Sequence, residues 1–176
     1  MKRLWILLLV VCLTGCAPRS PWAADWTDLG GQIGVEPQEG WTLQRNEDVL
    51  AAEGIYYATW TQGQPEAQTD AEGNTVQVYP AQMHLLLAQP EDPEKEIENW
   101  NALAQERYTL GAAQIVQCGG QSFQTVLYTV PGAKGVFATA RWGDRAIQAE
   151  LKCREDFPAE PLELLSDFLN HCHYAG

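Results

Sequence analysis

Apolar and polar positions change rhythm several times along the chain, and each rhythm predicts a different element. The first apolar run is Leu4–Cys12, behind Lys2 and Arg3. From there to residue 40 no period is sustained. Pro18, Pro21 and Pro37 alternate with Gly30, Gly31, Gly34 and Gly40, and this reads as a tether. Trp22 and Trp26 within it are expected to pack back on the folded body, since Trp is highly buried on average. Regular patterning starts at Trp41. Trp41–Arg45 reads as a short strand. Asn46 is placed to cap one or two helical turns through Glu53, with Glu47 and Asp48 in the favoured first turn. Ile55–Thr61 (IYYATWT) is aromatic and β-branched and predicts a strand. Gln62–Asn74 is polar and reads as a loop. Thr75–Ala88 predicts a long strand broken near Pro80, which has no N–H to give a ladder.

Pro90, Glu91, Asp92, Pro93 and Glu94 mark a helix start. Ile97, Trp100, Ala104 and Tyr108 then form one apolar stripe at helical spacing. Four strands follow in series: Ala112–Gln117, Ser122–Val130, Val136–Trp142 and Arg145–Cys153. Gly119-Gly120, Pro131-Gly132 and Gly143-Asp144 separate them. Connections this short impose antiparallel pairing, so these strands form a meander. Pro158 and Pro161 open a last helix with Leu162, Leu165, Leu169 and Cys172 along its buried face and Phe168 beside them.

Strands, a helix, four strands and a helix imply an α+β domain over 41–176: an antiparallel sheet of about six or seven strands packed with two main helices. This element order resembles the PsbP-like α/β/α sandwich, a fold used by extrinsic and accessory proteins that bind partners. A cystatin-like sheet, with its helices on one face, gives a similar string.

The start of the chain is an address. A basic pair followed by nine apolar residues has the layout of a secretory signal. It is too short for a spanning helix, which needs about 20 apolar residues. Leu13-Thr14-Gly15-Cys16 resembles a bacterial lipobox. The resemblance implies cleavage before Cys16 and a diacylglyceryl group on its thiol. The expected organisation is a signal peptide over 1–15, a lipid-anchored tether over 16–40, and one domain outside the cytoplasm at the cell membrane or envelope.

Charge narrows the partners. The chain carries 11 basic and 23 acidic residues, net −12, and has a pI near 4.5. Nucleic acid is excluded as a partner, because phosphate binding needs clustered Lys and Arg. The acid is uneven: residues 20–100 hold 15 acidic and 2 basic side chains, and 101–176 hold 8 and 6. The acidic half suits a basic partner, or simply a solvated surface.

Candidate chemistry is sparse. Cys118, Cys153 and Cys172 remain after Cys12 and Cys16 are accounted for. Ile147, Ala149, Leu151 and Cys153 share a strand face, and Cys172 falls on the helical stripe. A Cys153–Cys172 disulfide is the preferred pairing. Cys118–Cys153 is the alternative, and three reduced buried thiols the other. Ser122 lies outside any nucleophile-elbow motif. His171-Cys172-His173 spaces its ligands poorly for zinc. His84 reads as an outward or hydrogen-bonded strand residue. Asp70, Glu72 and Asn74 match three positions of a calcium loop but lack its glycine and its terminal glutamate, so a hairpin turn is the better reading. No catalytic residue, metal ligand or cofactor is expected, and most tryptophans are expected in the core.

These features point to a lipid-anchored accessory or binding module that holds a protein or small ligand near the membrane through the lipid on Cys16. The alternative is an envelope hydrolase working through acidic residues. Replacing Cys16→Ser is expected to abolish incorporation of labelled lipid and to move the protein from the membrane to the soluble fraction.

Overall fold

The computed structural model describes residues 20–50, 54–69 and 73–175, without the side chains of 47–50. Twelve strands and two helices follow in the order β1 (Thr27–Leu29), β2 (Ile33–Val35), β3 (Trp41–Leu50), β4 (Ile55–Gln62), β5 (Glu66–Thr69), β6 (Thr75–Val78), β7 (Ala81–Ala88), α1 (Pro93–Arg107), β8 (Thr109–Cys118), β9 (Gln121–Val130), β10 (Ala133–Trp142), β11 (Arg145–Arg154), α2 (Pro161–Asn170) and β12 (Cys172–Tyr174). Seven of the strands form one sheet in the order β3-β4-β7-β11-β10-β9-β8. Every pairing in it is antiparallel. The β8–β11 meander takes the short turns that its glycines require. The break at Tyr79-Pro80 separates β6 from β7.

Two alternations along β11 build two cores. Ile147, Ala149, Leu151 and Cys153 join Ala81, Met83, Leu85 and Leu87 of β7 in the larger one, which α2 seals with Leu165, Phe168 and Leu169. Ala146 points the other way and meets Ala88, Phe137 and Tyr128, sealed by Trp100 and Ala104 of α1. Consecutive residues of a strand face opposite sides, so the two helices lie on opposite faces. The architecture is an α+β sandwich with a seven-stranded sheet between its helices, which excludes the cystatin-like arrangement. α1 starts where its sequence marks it: Asp92 accepts hydrogen bonds from the backbone N–H of Glu94 (3.1 Å) and Lys95 (3.2 Å), with Pro93 in the first turn.

Three expectations are corrected. The segment assigned to a tether folds from residue 20 onward. β1, β2 and β12 form a separate three-stranded sheet, and Leu29, Ile33 and Val35 are almost completely buried. The apolar residues there are too few to show a period, and their partner strand lies at the far end of the sequence. Trp22 and Trp26 do pack back: their rings stack at 5.8 Å, and Trp26 lies 4.7 Å from the His173 ring. Second, the capping pattern at Asn46 starts no helix. β3 continues to Leu50, pairing Asn46 with Ala58 and Leu50 with Ile55. Pairing with β4 holds Asn46, Glu47 and Leu50 in the strand, whereas an isolated two-turn helix is unstable in water. Residues 51–53 lie outside the described residues. Third, the loop over 62–74 contains β5, which pairs with β6 from Glu66↔Val78 to Thr69↔Thr75. β5 and β6 thus flank residues 70–72, the segment of the expected hairpin turn, which lies outside the described residues.

If the β1–β2 segment belongs to the fold, Ile33→Ala removes a fully buried side chain and should cost about 2–5 kcal/mol. Chemical denaturation should show a single transition moved to lower denaturant. An unchanged midpoint would return residues 20–40 to the tether.

Candidate functional site

A polar seam crosses the α1 face of the sheet. Thr59 of β4, His84 of β7 and Glu150 of β11 are register neighbours. The Tyr57 hydroxyl and the Thr59 hydroxyl (3.1 Å) both bond His84 Nδ1. Glu150 Oε1 accepts from Tyr128 Oη (2.6 Å) and Tyr108 Oη (2.8 Å), and the two tyrosine rings stack at 4.1 Å. Tyr128 reaches Glu150 because its cross-strand partner is Gly135. A Cβ at that position would strike the Tyr128 ring and approach the Leu151 carbonyl to 2.7 Å. Burial lowers the His84 pKa, and the Glu150 charge opposes this only in part. The imidazole is therefore held in its neutral form. Burial and the Glu150 charge push Tyr108 up to about 12 and Tyr128 higher still. Both phenols stay protonated as donors. The seam holds no activated base and no nucleophile. It fastens Tyr108, the C-cap of α1, to the sheet. No carboxylate among the described residues is fully buried.

The second feature is concave. Where the β1–β2 sheet meets β3, β4 and α2, a cavity of about 180 Å³ is lined by Trp41, Trp60 and Phe168, with Asp25, Thr27 and Glu36 among its polar residues. Trp41 and Trp60 both meet Phe168 edge-on, at 5.3 and 5.0 Å. Gln38 Nε2 donates to the Phe168 carbonyl at 3.3 Å, tying the β2–β3 link to α2. Glu36 also accepts from His173 Nε2 at 2.8 Å. None of the lining residues is basic. Aromatic walls and carboxylates together attract a cation. The volume is below the 300 Å³ or more typical of sites for drug-sized molecules and suits one side chain.

Cys118, Cys153 and Cys172 are buried free thiols. Cys172 lies in β12 opposite Val35, two residues beyond the end of α2 at Asn170. That places it beside the end of β8, where Gly119 packs on the Leu169 and Cys172 carbonyls, and Cys118 is the thiol that acts on it electrostatically. Burial pushes Cys118 and Cys153 up to about 11 and Cys172 higher, so none is a thiolate nucleophile at neutral pH. His171 Nδ1 bonds the Asp167 carbonyl at 2.8 Å, Ser166 donates to the Leu162 carbonyl, and Ser122 accepts from Gln117. Among the described residues no group of three or more His, Cys, Asp or Glu is placed to hold a metal ion, and no helix is long and apolar enough to cross a membrane. Cys16 lies outside the described residues. The cavity was not foreseen, because its walls come from four separated segments. The only sequence signal was the concentration of acid and tryptophan before residue 100.

The sequence matches no protein-family model and no curated protein. Solved structures do share its fold. The solution structure of cyanobacterial PsbP (CyanoP) from Synechocystis sp. PCC 6803 aligns with a TM-score of 0.52 at 13% identity, over 93% of this chain and 99% of that one. A crystal structure from Bacteroides thetaiotaomicron VPI-5482 gives a TM-score of 0.51 at 8% identity, over 85% of this chain and 47% of that one. The chain therefore spans about half the length of the Bacteroides protein. By fold this is a PsbP-like α+β sandwich, as its element order implied.

The seam makes stability depend on pH. The folded pKa of His84 lies below its ordinary value near 6.5. The unfolded chain then binds the extra proton first, and stability falls as pH drops through and below 6.5. Thermal melts at pH 7.5 and 5.0 should show a larger loss for the wild type than for His84→Gln. Equal losses would mean that His84 is not held neutral.

Proposed function

We propose that this chain is a lipid-anchored, non-enzymatic accessory module outside the cytoplasm, and that its aromatic cavity holds a basic side chain of a protein partner at the membrane surface. The carrying observation is the cavity between the β1–β2 sheet and α2, where the half-buried Trp41 sits beside the buried rings of Trp60 and Phe168, with two carboxylates and no basic residue in the lining. The charge of the chain agrees with it, since the segment from 20 to 100 carries 15 acidic and only 2 basic residues. The lipobox at Leu13–Cys16 supports the anchor, and a sandwich fold shared with a cyanobacterial PsbP supports an accessory role over catalysis.

The folded N-terminal strap adds a constraint on position. Trp22 packs on Trp26, so the folded body begins six residues along the chain from the proposed lipid attachment at Cys16. Six residues span at most about 20 Å. Asp25 and Thr27, which line the cavity, are only a few residues further on. A site tied this closely to the anchor is suited to a partner embedded in the same membrane or resting on it.

Cross-linking in native membranes, followed by affinity purification, should recover a stoichiometric partner. Asp25→Lys with Glu36→Lys should lower that recovery at least about tenfold while leaving the melting temperature within a few degrees. Trp41→Ala should act in the same direction. Absence of any partner, or a partner indifferent to charge reversal at the cavity, would overturn the reading.

A further inference from the structure

The large sheet ends in β3 on one side and β8 on the other, and the two edges are built differently. β3 has Arg45, Glu47 and Asp48 in its sequence and two register shifts against β4. Charges and bulges of this kind keep an edge from recruiting a foreign strand. β8 has neither charge nor proline, and neither does β9. Residues 109–130 contain no Asp, Glu, Lys, Arg or His in a chain with 11 basic and 23 acidic side chains. The one irregularity of β8, between Leu110 and Ala113, precedes a regular run from Ala113 to Cys118. In the middle of that run Ile115 is 66% exposed, the most exposed large hydrophobic residue described. Among the described residues β9 is the only strand paired with β8, so its outer row of N–H and C=O groups has no strand partner.

We infer that β8 joins two copies of this chain, pairing antiparallel with itself across a two-fold axis so that the sheet runs on through both molecules. Charge identifies the occupant. Each copy carries a net −12, and two copies repel wherever their acidic surfaces meet. At β8 neutral faces neutral. Of the acidic half, α1 touches β8, with Glu94 paired to Arg141 of β10, but its strands lie far from the junction, because the sheet order puts β7 four positions from β8, and β4 and β3 further still. At about 4.8 Å per strand that is roughly 19 Å or more, beyond two Debye lengths of about 8 Å at physiological salt. A strongly charged foreign segment would find no counter-charge here. A second copy needs none, and a two-fold antiparallel junction uses the same strand from both sides. An axis through Ile115 sets it beside its own mate, Ala113 beside Gln117 of the second copy, and Gln114 beside Val116 of the second copy.

Sedimentation of the full-length protein in density-matched detergent tests this. The wild type should show a concentration-dependent dimer. Ile115→Lys, at an exposed position that leaves the fold and its melting temperature in place, should weaken association at least about tenfold. Ile115→Cys should form an intermolecular disulfide in membranes on mild oxidation, with no background from the three buried native thiols. A monomeric wild type at all concentrations would overturn the inference. So would a dimer unaffected by Ile115→Lys, or a failure of Ile115→Cys to cross-link. The cavity variants Asp25→Lys and Glu36→Lys should leave the dimer unchanged, which separates this test from that of the proposed function.

Discussion

The pairing of β7 with β11 is the interaction on which the rest of the structure depends. It joins Ala81–Ala88 to Ala146–Cys153 in unbroken register. The sequence gap between them spans α1 and the first three strands of the meander. The pairing places β3 and β4 on one side of a single sheet and β8–β10 on the other. It also commits both faces at once. A slip of one residue would move Leu85, Leu87, Ile147 and Leu151 from the α2 side to the α1 side. Alanine at 81, 88, 146 and 149 keeps the middle of the sheet thin enough for a helix to sit close on each face.

With the sheet closed in this way, the two faces take different work. The α2 face is apolar and carries the larger core. The α1 face keeps a polar seam in which Tyr57 and Thr59 bond His84 while Tyr108 and Tyr128 bond Glu150. Every partner in that seam is matched to a neutral donor or to the single carboxylate. It orients α1 without leaving a charge uncompensated, and an unpaired buried polar group would be costly.

The chain ends take a third role. β12 returns after α2 to pair with β2, which lies beside β1, so the two ends of the folded chain meet in one small sheet. Trp22, Trp26 and His173 stack across that junction. The cavity walled by Trp41, Trp60 and Phe168 opens there, close in sequence to the proposed lipid attachment. Ile115, in the middle of the β8 edge, is not among the residues lining that cavity, and anchor-side recognition and self-association therefore use separate residues in the reading proposed above.

Periodicity alone was enough for the α+β class, the meander from β8 to β11, the two helices and the break at Pro80, because each rests on residues close together in the chain. The Asp92 cap, the Trp100 and Ala104 stripe and the alternation of β11 are local signals that tertiary packing agrees with. Elsewhere tertiary structure decided. Ile33 and Val35 carry no readable period, yet they are buried because β12 arrives from the far end of the chain. Asn46 has the chemistry of a helix cap but sits in a strand, because β4 pairs with it at Ala58. Cys172 continued the helical stripe on paper, but its chain turns into β12 and meets the end of β8 instead of Cys153. The cavity of Trp41, Trp60 and Phe168 and the unguarded edge of β8 were likewise beyond the sequence. Both depend on which segments become neighbours, and long-range strand pairing decides that.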